Sequence, residues 1–169
     1  MKSNELLRDA FDRIREVVAA TLEGVDDDAL VCRPAGSGNS IAWLIWHLSR
    51  VEDAQVASAA GLKQVWTVQG FAGRFDLPLS ERDTGYGHSS DEVNAVKAPA
   101  ELLLDYYDAV HRQTVEFLDT LADVDFDRIV DTTWDPPVSL GVRLVSTIAD
   151  CLQHVGQAAY ARGLTPRTM

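Results

Sequence analysis

The stretch Leu144-Val145-Ser146-Thr147-Ile148-Ala149-Asp150-Cys151-Leu152-Gln153-His154-Val155-Gly156-Gln157 has the period of a helix. Leu144, Ile148, Cys151, Leu152, Val155 and Ala159 form a broad apolar face, and Arg143, Thr147, Asp150, His154 and Gln157 form a narrow polar stripe opposite. Val142, Ala149, Ala158 and Tyr160 flank the stripe closely. It is therefore either the wet side of an amphipathic helix or a polar line turned inward, and spacing leaves both open. Asp150 and His154, four residues apart, project from one face. Such a pair can grip one metal ion, as in the H-E-x-x-H zinc helices. The spacing is common, so a site requires a third ligand from a facing helix.

Working outward, Ser139 is placed to cap this helix, which is expected to end near Arg162 with Gly163 at C′ and Pro166 beyond. An N-terminal helix follows from the stripe Leu6, Leu7, Ala10, Phe11, Ile14, Val17, Val18 and Leu22, with Ser3 as N-cap and Gly24 at its end. The acids Asp26-Asp27-Asp28 read as a solvated turn. The loop Arg33-Pro34-Ala35-Gly36-Ser37-Gly38 lacks the lysine of a phosphate-binding loop and follows a helix rather than a strand, which excludes that function.

Asn39 or Ser40 caps a second long helix running to about Ala60. On it His47 shares a face with Trp43, Leu44, Val51 and Ala54, while Ser49 and Glu52 lie on the more polar side. His47 thus points toward the core, as a packing residue or as a ligand. A third helix starts near Pro99 and carries Leu103, Tyr106, Tyr107, Val110, Thr114, Phe117, Leu118 and Leu121, with His111 at its surface edge.

Residues 61–98 break the helical rhythm with several glycines and Pro78, and hold Trp66, Phe71 and Phe75. A connection of this length reads as a lid or a dimer contact. His88 at its tip is a possible fourth ligand or substrate contact.

With 169 residues and no strand-like alternation, the chain reads as one domain over 1–169. The fold class is all-α: a four-helix bundle of the up-down-down-up type with a long loop between helices 2 and 3. A net charge of −11 argues against nucleic acid, and no window suits a membrane span. The first residues lack the features of a signal peptide, and Cys32 and Cys151 have no zinc-knuckle or C-x-x-C spacing, so a reduced, cytoplasmic protein is expected. Cys151 reads as core filler. If the second and fourth helices face each other, His47, Asp150 and His154 form a three-ligand metal site with positions left open, the pattern of a catalytic rather than a structural centre.

Trp43-Leu44-Ile45-Trp46-His47-Leu48 and Gln153-His154-Val155-Gly156-Gln157 resemble the corresponding segments of the DinB / YfiT-like superfamily of metal-binding four-helix bundles. The resemblance runs over nearly the whole chain and includes the mycothiol-dependent maleylpyruvate isomerases. It implies His47 and His154 as ligands. Asp150 stands where those isomerases carry a glutamate, one methylene longer. The resemblance also implies a divalent metal (zinc first, nickel or iron as alternatives), a low-molecular-weight thiol such as mycothiol, a small electrophile as substrate, and a homodimer. The expected activity is a metal-dependent thiol transferase or thiol-dependent isomerase. The alternative is a non-catalytic metal- or ligand-binding stress-response module, or a dimeric scaffold. Arg50, Arg74, Arg143 and Arg162 are candidates for carboxylates of the thiol.

Overall fold

Apolar stripes of period 3.6 generate the long helices, and their ends follow local chemistry. In the computed structural model, which describes residues 1–164, α1 (Ser3–Leu22) buries Phe11, Ile14, Val18 and Leu22. Ser3 is its first helical residue rather than its cap; Lys2 precedes it in an extended conformation and its amide donates to Glu5 Oε2 at 2.9 Å. The acid triplet is not a simple turn. Asp26 accepts from the Ala29 amide at 2.8 Å and caps a short helix, α2 (Asp27–Val31).

Ser40 caps α3 (Ile41–Ala60) by accepting from the Trp43 amide, and Gly61 ends it in the left-handed conformation at φ +68. Three short helices follow: α4 (Val65–Val68), α5 (Phe71–Phe75) and α6 (Ser90–Ala95). Then comes α7 (Ala100–Asp119), with Pro99 at the N-cap. A small antiparallel hairpin, β1 (Ile129–Asp131) and β2 (Val138–Ser139), leads into α8 (Leu140–Leu164). The hairpin departs from the strand-free expectation, because strands of three and two residues are too short for alternation to register. Gly163 lies inside α8 rather than past its end, and Pro166 falls outside the described residues.

α3 packs against α7 and α8, and α1 packs against the same two helices, so the long helices close into a ring. The result is a mostly helical, all-α fold. The most buried of the long helices is α3, with 15 of its 20 residues buried, so the supposed polar side of α3 is not wet. Ser49 and Glu52 are 0% exposed and Asp53 1%. Each buried carboxylate must then find donors within the protein. Glu52 accepts from Tyr107 Oη (2.9 Å) and Thr114 Oγ1 (2.8 Å) on α7. Asp53 accepts from the Val65 and Trp66 amides at 2.8 Å and from Tyr106 Oη at 2.9 Å, which starts α4 and ties it to α3.

The aromatic residues Trp66, Phe71 and Phe75 of the 61–98 segment belong to the core. Trp66, Phe71 and Phe75 are 4%, 3% and 6% exposed and pack around Tyr106, with ring centroids 5.2, 4.9 and 5.8 Å away. His111, expected at the surface, is largely covered, and its Nε2 lies 2.8 Å from Asp12 Oδ1, joining α7 to α1.

Burial pushes the Glu52 carboxyl from its ordinary 4.5 up to about 7, against the opposing hydrogen bonds from Thr114 and Tyr107. Between those pH values the folded state keeps a proton that the unfolded chain has released. Stability therefore falls as pH rises from about 4.5 to about 7, by roughly 3 kcal/mol at 1.36 kcal/mol per unit. Chemical unfolding of wild type and Glu52→Gln at pH 5 and pH 8 checks this. The wild type is expected to lose the larger amount of stability between the two, and equal losses would refute the assignment.

Candidate metal centre

α3 and α8 meet through the polar stripe of α8, which settles its orientation. Thr147 is 3% exposed, and Arg143 Nη1 donates to Gln55 Oε1 of α3 at 2.6 Å. The solvent side of α8 instead carries Val142, Val145, Leu152 and Tyr160. The inward stripe brings the His154 ring to 4.6 Å from the His47 ring, nearly edge-on at 78°.

Ligand atoms of His47, Asp150 and His154 all lie within 4.8 Å of one another. His47 is buried at 4% exposure, and its Nδ1 sits 2.5 Å from the Thr84 carbonyl oxygen. A carbonyl only accepts, so the proton is on Nδ1 and the Nε2 lone pair is left free. His154 lies between two acceptors: Nδ1 faces Gln157 Oε1 at 3.1 Å, and Nε2 faces Asp150 Oδ1 at 3.6 Å. The second carboxylate oxygen, Oδ2 of Asp150, is buried and has no hydrogen-bond partner. Donors sharing one tetrahedral zinc stand about 3.3 Å apart at the usual bond lengths. The Asp150–His154 gap is close to that and too long for a good hydrogen bond, so the pair can open around a cation.

The electrostatics match this donor set. Burial lowers the pKa of His47, keeping the imidazole neutral. The facing carboxylate of Asp150 raises the pKa of His154, and His154 in turn lowers that of Asp150. A cation arriving here therefore displaces a proton held between the two.

Packing fixes the His47 ring from two sides. Trp43 stacks on it with centroids 4.6 Å apart at 14°. At its Nδ1 edge runs the backbone of Gly85 at φ +93, where a Cβ would lie 2.6 Å from His47 Nδ1 and 3.1 Å from both Trp43 Cζ2 and Trp46 Cζ3. Only glycine fits that approach. Thr84, Gly85 and Gln157 were not singled out by sequence reasoning as parts of this cluster. A glycine on each side of Tyr86 and an amide three residues past His154 are the signals that were available.

His88 does not join the trio. Its Nδ1 accepts from Trp43 Nε1 at 3.1 Å, which leaves the proton of a neutral ring on Nε2, 3.3 Å from Asp83 Oδ1. It clusters with Asp83 and Glu92 instead. Its side chain is 3% exposed, too covered for a substrate contact. The four candidate arginines are engaged within the protein. Arg50, 0% exposed, donates to the Asp83 and Glu81 carbonyls, Gln64 and Tyr106. Arg74 pairs with Asp105, Arg143 with Asp131 and Gln55, and Arg162 donates to the Ala20 and Glu23 carbonyls. Cys151 is fully buried, as expected of core filler.

An all-α fold whose central helices bring two imidazoles and a carboxylate together defines a DinB-like helical protein with a candidate metal-ligand group. The match to the family model described as mycothiol-S-transferase extends over residues 6–166, and the chain belongs to that family. It is also similar to a solved structure, the crystal structure of the conserved protein of locus from Enterococcus faecalis. The two share 32% identity over 96% of each chain, with a TM-score of 0.89. No curated protein matches the chain. Among the described residues no helix is long and apolar enough to cross a membrane.

Gly85→Ala is expected to push the 84–88 backbone off His47, weakening divalent-metal affinity 10- to 100-fold, as loss of a ligand's supporting contact typically does. Calorimetric titration with zinc measures this, and unchanged affinity would show that Thr84 does not orient His47.

Proposed function

We propose that the protein is a metal-dependent thiol transferase on an up-down-down-up bundle. In this reading His47, Asp150 and His154 hold one divalent metal (zinc first, nickel or ferrous iron as alternatives), and a low-molecular-weight thiol such as mycothiol is joined to a small electrophile. The observation that carries the reading is the buried, unpartnered Asp150 Oδ2 beside two imidazoles whose Nδ1 atoms are already engaged. The donor set fits: two neutral nitrogens and one carboxylate suit a borderline cation and leave positions open. The family match supports the thiol.

When bound, the metal supplies a Lewis acid that favours a sulfur ligand as thiolate. The chain's own part is orientation. Thr84 and Gln157 set the tautomers, Trp43 fixes the plane of His47, and Asp150 remains ionised beside His154. The overall change is RSH + R′–X giving RS–R′ + HX: a C–S bond forms, the C–X bond breaks with its electron pair leaving on X, and the thiol proton is released. With an epoxide or conjugated double bond the proton ends on the product. Isomerisation would return the thiol unchanged. We extend the proposal to a cytoplasmic homodimer, supported by two free cysteines and by exposed Val142, Val145 and Leu152 along one side of α8.

Elemental analysis of untagged protein is expected to find about one divalent metal per chain, lost in His47→Ala and His154→Ala. The metal-loaded protein should consume thiol with 1-chloro-2,4-dinitrobenzene at least tenfold faster than the metal-free form. A well-folded wild type without metal affinity would sink the proposal. Bound metal without thiol consumption would leave a binding module.

A further inference from the structure

One helical turn from the trio, the start of α3, the loop before it and α8 border an open cavity of about 310 Å³ lined by Pro34, Asn39, Leu44, Gln157, Tyr160 and Ala161. Leu44 stands three residues before His47, and Gln157 and Ala161 stand three and seven after His154, so they continue the same ridges of the two helices. Three residues advance about 4.5 Å along a helix axis, which puts the cavity beside the ligands. Gln157 belongs to both places, since its Oε1 holds His154 Nδ1 at 3.1 Å. A volume near 300 Å³ is at the lower end for small-molecule sites.

The lining has a definite chemistry. It contains no charged side chain. The arginines nearest in sequence are turned to other work: Arg33 donates to the Gly38, Ser37 and Ser90 carbonyls, Ser90 Oγ and Asn94, and Arg162 to the Ala20 and Glu23 carbonyls. No side chain of the lining offers a counter-charge to an anion, within a chain of net charge −11. What the cavity offers is a hydrocarbon wall from Pro34, Leu44 and Ala161, two carboxamides from Asn39 and Gln157, and the 70% exposed Tyr160. That combination suits an apolar body bearing one carbonyl or hydroxyl.

We infer that this cavity seats the electrophilic substrate and selects uncharged, largely apolar molecules over carboxylates; the inference rests on the thiol-transferase reading. The test uses zinc-loaded full-length protein and a shape-matched pair, acetophenone and benzoate, followed by assigned amide NMR shifts. Acetophenone is expected to shift amides around Asn39, Leu44 and residues 157–161, with benzoate binding at least fivefold more weakly. Tyr160→Ala should weaken acetophenone at least fivefold with zinc content unchanged, and Asn39→Arg should bring benzoate in. Benzoate binding as tightly as acetophenone, or shifts confined to other regions, would overturn the inference.

A kinetic arm separates the two ideas. Acetophenone should compete with 1-chloro-2,4-dinitrobenzene in thiol consumption. Turnover without such competition overturns the cavity assignment. Acetophenone binding at the cavity in a protein that shows no turnover sinks the transferase reading and leaves a neutral-ligand site standing.

Discussion

A helix removed from water on nearly every side cannot leave its polar side chains unpaired, and α3 carries five: His47, Ser49, Arg50, Glu52 and Asp53. Ser49 is satisfied within the helix, donating to the Ile45 carbonyl, and each of the other four draws a different part of the molecule to itself. Glu52 takes two hydroxyls of α7, Asp53 takes the start of α4, Arg50 takes two carbonyls of the loop beyond, and His47 takes Thr84 and faces α8. Deleting one partner would strand a buried polar group at a cost of about 1–3 kcal/mol, more for a charge. The arrangement is therefore held mainly by the need to satisfy α3.

This links scaffold to site. The guanidinium of Arg50 binds the Glu81 and Asp83 carbonyls from beneath, and the next residue, Thr84, presents its own carbonyl to His47. Gly85 then permits the backbone to pass within contact of the imidazole. A connection of irregular shape thus acquires a fixed position because a buried cation organises it. A surface loop would position a ligand less well, since fixing a backbone residue costs roughly 1–2 kcal/mol in entropy.

The four long helices were readable because periodicity sums over twenty or more residues, and their ends fell within a residue or two of the expected caps at Ser40 and near Leu22. The placement of His47 among Trp43 and Leu44 was readable too, as was the shared face of Asp150 and His154. What periodicity could not carry was short or long-range. Helices α4, α5 and α6 span four to six residues, fewer than two turns. Arginine is usually a surface residue, and the burial of Arg50 depends on carbonyls more than thirty positions away. The same separation hid Thr84 from His47, and only three dimensions reveal that the Nδ1 lone pair of His88 is taken by the indole N–H of Trp43.

Trp43 also makes the cluster optically self-reporting. Its indole lies flat on His47 and edge-on to His154, with centroids 4.6 and 6.3 Å away. A nearby charge on an imidazole perturbs indole emission, so the protonation state of that pair is written into the protein's own fluorescence.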